Sequence, residues 1–194
     1  MAELLRIFVS ATADLDAERA IIGRIVAGLP VQIGTEIRRT PTRGASYDDI
    51  YELIANCDRV YFLLGQDISA PSGAEWDLAW QLERSVLPLR LPSRPTPAAR
   101  EFLGSNPFID WVDFTNATML NRIVTLDLLS ILNHPTNRYG LSVSEFELLA
   151  LHREKLKRTV TELPDDPGGA EGGGVILDHG RRDPIDGVLL GETY

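Results

Sequence analysis

Two carboxylates raise the question of chemistry in this chain, Glu75 and Asp77, both in the stretch Ser72-Gly73-Ala74-Glu75-Trp76-Asp77. A serine followed three residues later by a glutamate is the capping-box signature of a helix start, which gives Glu75 a purely structural use as the partner of Ser72. It has a second use open to it. The apolar run Arg59 to Leu64 stops at Gly65, a polar loop carrying Pro71 follows, and the helix then leads into Val86-Leu87-Pro88-Leu89-Arg90-Leu91. That is a strand, helix, strand unit, and in open parallel sheets ligands bind beyond the carboxyl ends of the strands, where helices such as this one begin. Helical geometry separates the two acids: Glu75 shares a row with Leu78, Ala79 and Leu82, whereas Asp77 lines up with Gln81 and Arg84, and residues two apart do not face each other. Glu75 therefore heads the sheet-facing row in the first turn, where the helix dipole favours its ionised form. Asp77 is predicted to look outward.

Other chemistries lack their residues. There is no Walker loop, no Gly-x-Gly-x-x-Gly after the first strand, and no histidine or carboxylate cluster with metal spacing. His134, His152 and His179 are isolated and read as surface or helix-end residues. A phosphoreceiver needs acids at the ends of strands one and three and a later lysine; those strands end here in Ser10 and Gly65, and the first lysine is Lys155. A single cysteine, Cys57, excludes an internal disulfide and cysteine-built zinc cages. A net charge of −9 argues against general binding to nucleic acid or anionic membranes, since both rest on basic patches. No apolar run approaches the roughly 20 residues of a membrane span, and Met1 to Arg6 lacks the basic start and apolar core of a signal peptide. A cytoplasmic location is the expectation.

The elements that must position Glu75 follow from periodicity. Leu4 to Ser10 reads as the first strand, with Asp14 placed to cap a helix from Leu15 to about Gly28. Val31 to Arg38 alternates apolar and polar residues, as a half-exposed edge strand does, and Ser46 suits the cap of a helix reaching Asn56. The helix of Glu75 is expected to run to about Ser85. Beyond the strand at 86–91 come a proline-rich connection, a short helix over 98–103, an alternating strand over 108–114 and a helix over 116–133. Five strand–helix repeats predict a doubly wound parallel α/β sheet, most simply in the flavodoxin-like order 2-1-3-4-5 with the two alternating strands at the edges. This domain spans 1–134. Ser142-x-x-Glu145 then starts a capped helix within an extension at 135–163, and the Gly- and Pro-rich run at 164–174 reads as a flexible linker into a tail ending at 194. Trp76 and Trp80, one turn apart, suit the core better than a base-stacking platform.

Certain motifs carry a resemblance. Phe8-Val9-Ser10-Ala11-Thr12 with Asp14-Leu15-x-x-Glu18-Arg19, then Asn56-Cys57-Asp58 leading into Leu63-Leu64-Gly65, Ser72-x-x-Glu75-Trp76-Asp77 and Val86-Leu87-Pro88 resemble a bacterial family of TIR-like domains. The likeness covers roughly 5–133, and its most specific part is Asp14-Leu15-x-x-Glu18-Arg19. The wider TIR-like and nucleoside deoxyribosyltransferase-like group includes enzymes that cleave the N-glycosidic bond of NAD or a nucleoside with a glutamate at the start of this helix. The resemblance implies that role for Glu75. Aligning the chain instead on the transferases' Gly-Thr-x-Trp-Glu run puts Asp77 in the acid's place, so Asp77 stays as the alternative. The chemistry is sensible, because bond breaking leaves an oxocarbenium-like ribose that a carboxylate stabilises or attacks.

With that reading, Ser10, Ala11 and Thr12 at the end of strand one, together with Ser72, are candidates for contacts to phosphate or ribose, or else simply turn the chain. Arg39 and Arg43, after strand two, are candidates for neutralising a pyrophosphate. Asp14, Glu18 and Arg19 are expected to be structural. The resemblance implies a nucleotide as small-molecule partner, NAD as substrate rather than cofactor, no metal, and an effector or signalling setting such as antiviral defence. A rival reading is a non-catalytic interaction module of the same fold that assembles with itself or with a partner protein; in TIR-like families the loop after strand two often completes a neighbour's site, so the two are compatible.

Overall fold

The computed structural model describes residues 2–41, 44–68 and 70–161. Five strands, β1 (Leu5–Ala11), β2 (Thr35–Arg38), β3 (Arg59–Leu64), β4 (Val86–Arg90) and β5 (Val112–Asp113), pair in the order β2-β1-β3-β4-β5. Every pairing is parallel. The helices are α1 (Asp16–Ala27), entered through a 3₁₀ turn at Ala13–Leu15, then α2 (Tyr47–Ala55), α3 (Ser72–Gln81), α4 (Pro97–Ser105), α5 (Ala117–Leu132) and α6 (Val143–Thr161). This is the doubly wound order 2-1-3-4-5.

Alternation along the strands builds the two faces. Leu5, Ile7, Val9 and Ala11 of β1, with Tyr61, Leu63 and Leu89, pack with residues of α1 and α5, and Leu149 of α6 joins the same cluster. On the other face Phe8 and Val60 meet Ile50 and Ile54 of α2 and Leu78 and Ala79 of α3. Phe62 and Leu64 meet Trp76 there. The indole of Trp76 stacks on that of Trp111, with ring centres 5.3 Å apart and planes 12° apart. Trp76 is thus a core residue, and Trp80 is 47% exposed.

Several element boundaries differ from expectation. The alternating run at 31–38 ladders only over Thr35–Arg38; Leu5 N–H still bonds Gly34 O at 2.9 Å, and Val31 is buried in the core without a strand partner. At the opposite edge only Val112–Asp113 pair with β4, because Ile109 and Trp111 turn into the Phe62 and Trp76 cluster. Helix α3 ends at Gln81, four residues early. Glu83 takes a left-handed φ of 51°, and the Glu83 and Arg84 N–H groups bond Trp80 O and Ala79 O at 3.0 and 2.9 Å, which closes the last turn. Asp14 does not cap α1: that helix has no side-chain cap, and the carboxylate reaches across the sheet instead. Ser46 and Ser142 do cap. The first forms a box with Asp49, and Ser142 exchanges bonds with Glu145. Among the described residues no helix is long and apolar enough to cross a membrane. The expectations for 164–194 fall outside the described residues.

Candidate active site

Helix α3 delivers Glu75 to the carboxyl ends of β1 and β3, as the sheet order requires. The capping box expected there is not formed. The residue flanking the helix is Pro71, with no side-chain cap, and Ser72 is already in the first turn. Its Oγ donates to Ala11 O at 3.2 Å, and the Glu75 carboxylate leaves its own helix end and turns to the neighbouring strand. Its Oε2 accepts from Ser10 Oγ and its Oε1 from Thr40 Oγ1. Burial explains the choice. Glu75 is 4% exposed, on the same helix row as the buried Leu78 and Ala79, so its side chain points at the sheet and the backbone amides of the cap lie behind it.

What surrounds this carboxylate decides its chemistry. Each oxygen holds one hydroxyl donor, and no salt bridge reaches it among the described residues. A buried carboxylate without a cationic partner is costly unless something else is gained, and here it borders a cleft of about 450 Å³. Ala11, Arg19, Thr40 and Ser72 line that cleft beside it. Asp77 is exposed on the outer face of α3.

The remaining candidates divide. Ala11 borders the cleft, and its carbonyl is held from two sides, by Ser72 Oγ and by Arg19 Nη2 at 2.7 Å. Ser10 is 1% exposed and spends its hydroxyl on Glu75. Thr12 is equally buried: its Oγ1 donates to Asp14 Oδ1 at 2.6 Å and accepts from Gly65 N–H at 3.0 Å. The other Asp14 oxygen accepts from Gln66 N–H at 2.8 Å. Thr12 and Asp14 thus strap β1 to the end of β3. Gly65 is needed in that strap, since a Cβ there would sit 2.0 Å from Asp14 Oδ2. Arg39 does not line the Glu75 cleft but an adjoining hollow. Arg43 lies outside the described residues.

Two residues at the site were missed. Thr40 carried no signal, being one hydroxyl in a loop. Arg19 has one, its place at the end of Asp14-Leu15-x-x-Glu18-Arg19, although the expectation for it favours structure over a ligand role. It does pair with Asp16 at 2.8 Å, yet it also borders the cleft. No group of His, Cys, Asp and Glu able to hold a metal occurs among the described residues. Cys57 is buried, and burial pushes its thiol up to about 11, so it is a poor nucleophile.

No protein-family model matches the chain, and no curated protein matches it, so the TIR-like resemblance rests on the sequence motifs alone. Among solved structures, the chain is similar to the CMP N-glycosidase BcmB of Clostridium botulinum, at 18% identity and a TM-score of 0.41, over 63% of this chain and 98% of that one. A likeness this remote has no bearing on the site.

Proposed function

We propose that this chain binds a nucleotide and hydrolyses its N-glycosidic bond, with NAD as the leading substrate and Glu75 as the catalytic carboxylate. The observation that carries this reading is a 4%-exposed carboxylate, fixed by two hydroxyls and bordering a cleft at the carboxyl ends of the strands, with no cation paired to it among the described residues. Such a group is free to meet positive charge that develops during reaction. In the reaction the bond from ribose C1′ to the pyridinium nitrogen breaks, and its electron pair leaves with nicotinamide, which becomes neutral. The ribose becomes oxocarbenium-like beside the Glu75 carboxylate. Water then adds to C1′ and loses a proton, giving ADP-ribose, nicotinamide and one proton. No general acid is required for this leaving group, which suits a site with a single buried acid.

Assembly accompanies this reading as a second one. Ile37 on the edge strand β2 and Tyr47 and Tyr51 on α2 are 43%, 59% and 43% exposed, near the loop that carries Thr40. A second copy docking there would lie beside the Thr40 side of the cleft. The test of both is nicotinamide release from NAD by the purified protein, dilute and concentrated. Cleavage that rises more than in proportion to concentration supports both readings, and cleavage proportional to concentration supports the enzyme alone. No release of nicotinamide from NAD, nor of the base from other nucleotides, at either concentration removes the enzymatic reading.

A further inference from the structure

The cleft of Glu75 does not end at Arg19. A second hollow, of about 250 Å³, shares Val9, Asp16 and Arg19 with it and continues past Ile37 to Arg39, along the edge of the sheet between α1 and the end of β2. Three guanidinium groups line this hollow with bonding capacity unspent. Arg39 is exposed and makes no hydrogen bond or ion pair with any described residue. Arg19 places Nη2 on Ala11 O and Nη1 on Asp16, but its Nε is buried and has no acceptor. A third arginine, Arg38, borders the hollow too: Glu36 holds its Nη2 at 2.9 Å, and its Nε, like that of Arg19, is buried without an acceptor. Asp16 is the one carboxylate in the lining among the described residues; its side chain is 70% exposed, so it yields to a stronger anion at little cost. In a chain of net charge −9, three guanidiniums lining one hollow beside the Glu75 cleft run against the overall charge. Planar guanidinium donors match phosphate oxygens pairwise, and low-dielectric walls strengthen the attraction.

We infer that this hollow is a phosphate subsite, in which Arg19 and Arg39 hold the 5′-phosphate or pyrophosphate of the nucleotide whose ribose lies against Glu75. The ribose placement rests on the proposed function; the anion site does not. The subsite makes the substrate class a phosphorylated nucleotide and sets free nucleosides aside. Arg19 has a double part, since the same side chain fixes the Ala11 carbonyl next to Ser10, the hydroxyl that holds Glu75.

The test is calorimetric titration of the full chain with AMP, adenosine and inorganic pyrophosphate, at low and at high salt. We expect AMP to bind at least about tenfold more tightly than adenosine, with pyrophosphate competing against AMP and the advantage shrinking in high salt. Arg39→Ala, at an exposed and unpaired position where folding is not at stake, should remove most of that advantage and leave adenosine binding unchanged, and Arg39→Lys should recover part of it. Equal binding of AMP and adenosine, no AMP binding at millimolar concentration, or an Arg39→Ala protein that keeps the full AMP advantage would each overturn the subsite. A protein that shows the Arg39-dependent advantage yet releases no nicotinamide from NAD would retain the subsite and remove the cleavage reading. Turnover of NAD with no phosphate advantage would do the reverse.

Discussion

Helices α3 and α6 carry the same opening pattern, a serine followed three residues later by a glutamate, and use it in opposite ways. In α6 the Glu145 carboxylate accepts from the Ser142 backbone N–H at 2.7 Å and the Ser142 hydroxyl accepts from the Glu145 N–H at 3.3 Å, a closed box on an exposed helix end. In α3 the same two side chains abandon each other: Ser72 turns to Ala11 O, and Glu75 turns to the hydroxyls of Ser10 and Thr40. The difference lies in the neighbours. The start of α6 faces solvent, whereas α3 begins against the ends of β1 and β3, where side chains from other elements are within reach. A capping glutamate is stabilising where it stands, whereas Glu75 is withdrawn from its cap, buried and, among the described residues, without a cation. Asp127 on α5 sharpens the contrast, because it is also largely buried yet fully answered. Arg59 meets it with Nε and Nη2 at 2.9 and 2.5 Å, and Tyr61 donates to it at 2.9 Å. Burial, and next to it the Asp127 charge, hold the Tyr61 phenol well above its ordinary range, so it remains a donor throughout the physiological range.

These three carboxylates should respond differently when disturbed. The largest stability effect belongs to Asp127→Ala, which strands the Arg59 guanidinium in a site where it is only 13% exposed. Unfolding by urea should show a loss of about 3–5 kcal/mol, while turnover per folded molecule stays unchanged. Ser10→Ala comes next and breaks the comparison if the Glu75 contacts are incidental. It removes a buried hydrogen bond to a charged group, so a loss of roughly 1.5–3 kcal/mol is expected in stability. The NAD cleavage rate should fall at the same time, with most of the loss in kcat rather than KM, and Ser10→Thr should restore part of it. A Ser10→Ala protein with wild-type kcat would mean that the hydroxyl positions nothing. Ser142→Ala is smaller, about 1 kcal/mol in the melting transition, as for an ordinary cap, with no change in cleavage.

The smallest effect is a dependence on pH. The Ser142 backbone N–H and then its hydroxyl hold the Glu145 carboxyl below its ordinary 4.5, and the Ser46 hydroxyl and then its backbone N–H hold that of Asp49 below 3.8. Groups whose folded values are lowered contribute stability in full above their ordinary values, and that stability is lost as pH falls through the lower folded ones. Melting temperatures recorded down through pH 4.5 should therefore decline, and the Ser142→Ala protein should decline less steeply than wild type.

Much of the architecture was legible in the sequence because it is written locally. The apolar run Arg59 to Leu64, the alternating edges and the caps at Ser46 and Ser142 depend on periodicity and on residues three apart, and the order β2-β1-β3-β4-β5 is the simplest one for a strand–helix repeat with its alternating strands at the edges. The geometric separation of Glu75 from Asp77 was legible too, since it needs only helical spacing. The partners of Glu75 were not. Ser10 and Thr40 stand 65 and 35 residues away, and no spacing rule connects them to α3. The same limit produced the mistaken cap at Ser72 and the one at Asp14, where a local rule lost to contacts across the sheet with Ala11 and Gln66. The end of α3 was misjudged for a different reason, because Glu83 takes a left-handed conformation that its residue type does not advertise.

The claim that Glu75 is the catalytic carboxylate is tested most directly by nicotinamide release from NAD for wild type, Glu75→Gln and Asp77→Asn at equal, high protein concentration. The Ser10 and Thr40 hydroxyls can rotate to suit an amide, so Glu75→Gln should fold and melt as wild type does. Its rate should nonetheless fall by about 100-fold or more, because the charge that meets the oxocarbenium-like ribose is gone, while Asp77→Asn should remain within about twofold of wild type. Equal rates for wild type and Glu75→Gln, or a collapse confined to Asp77→Asn, would contradict the account.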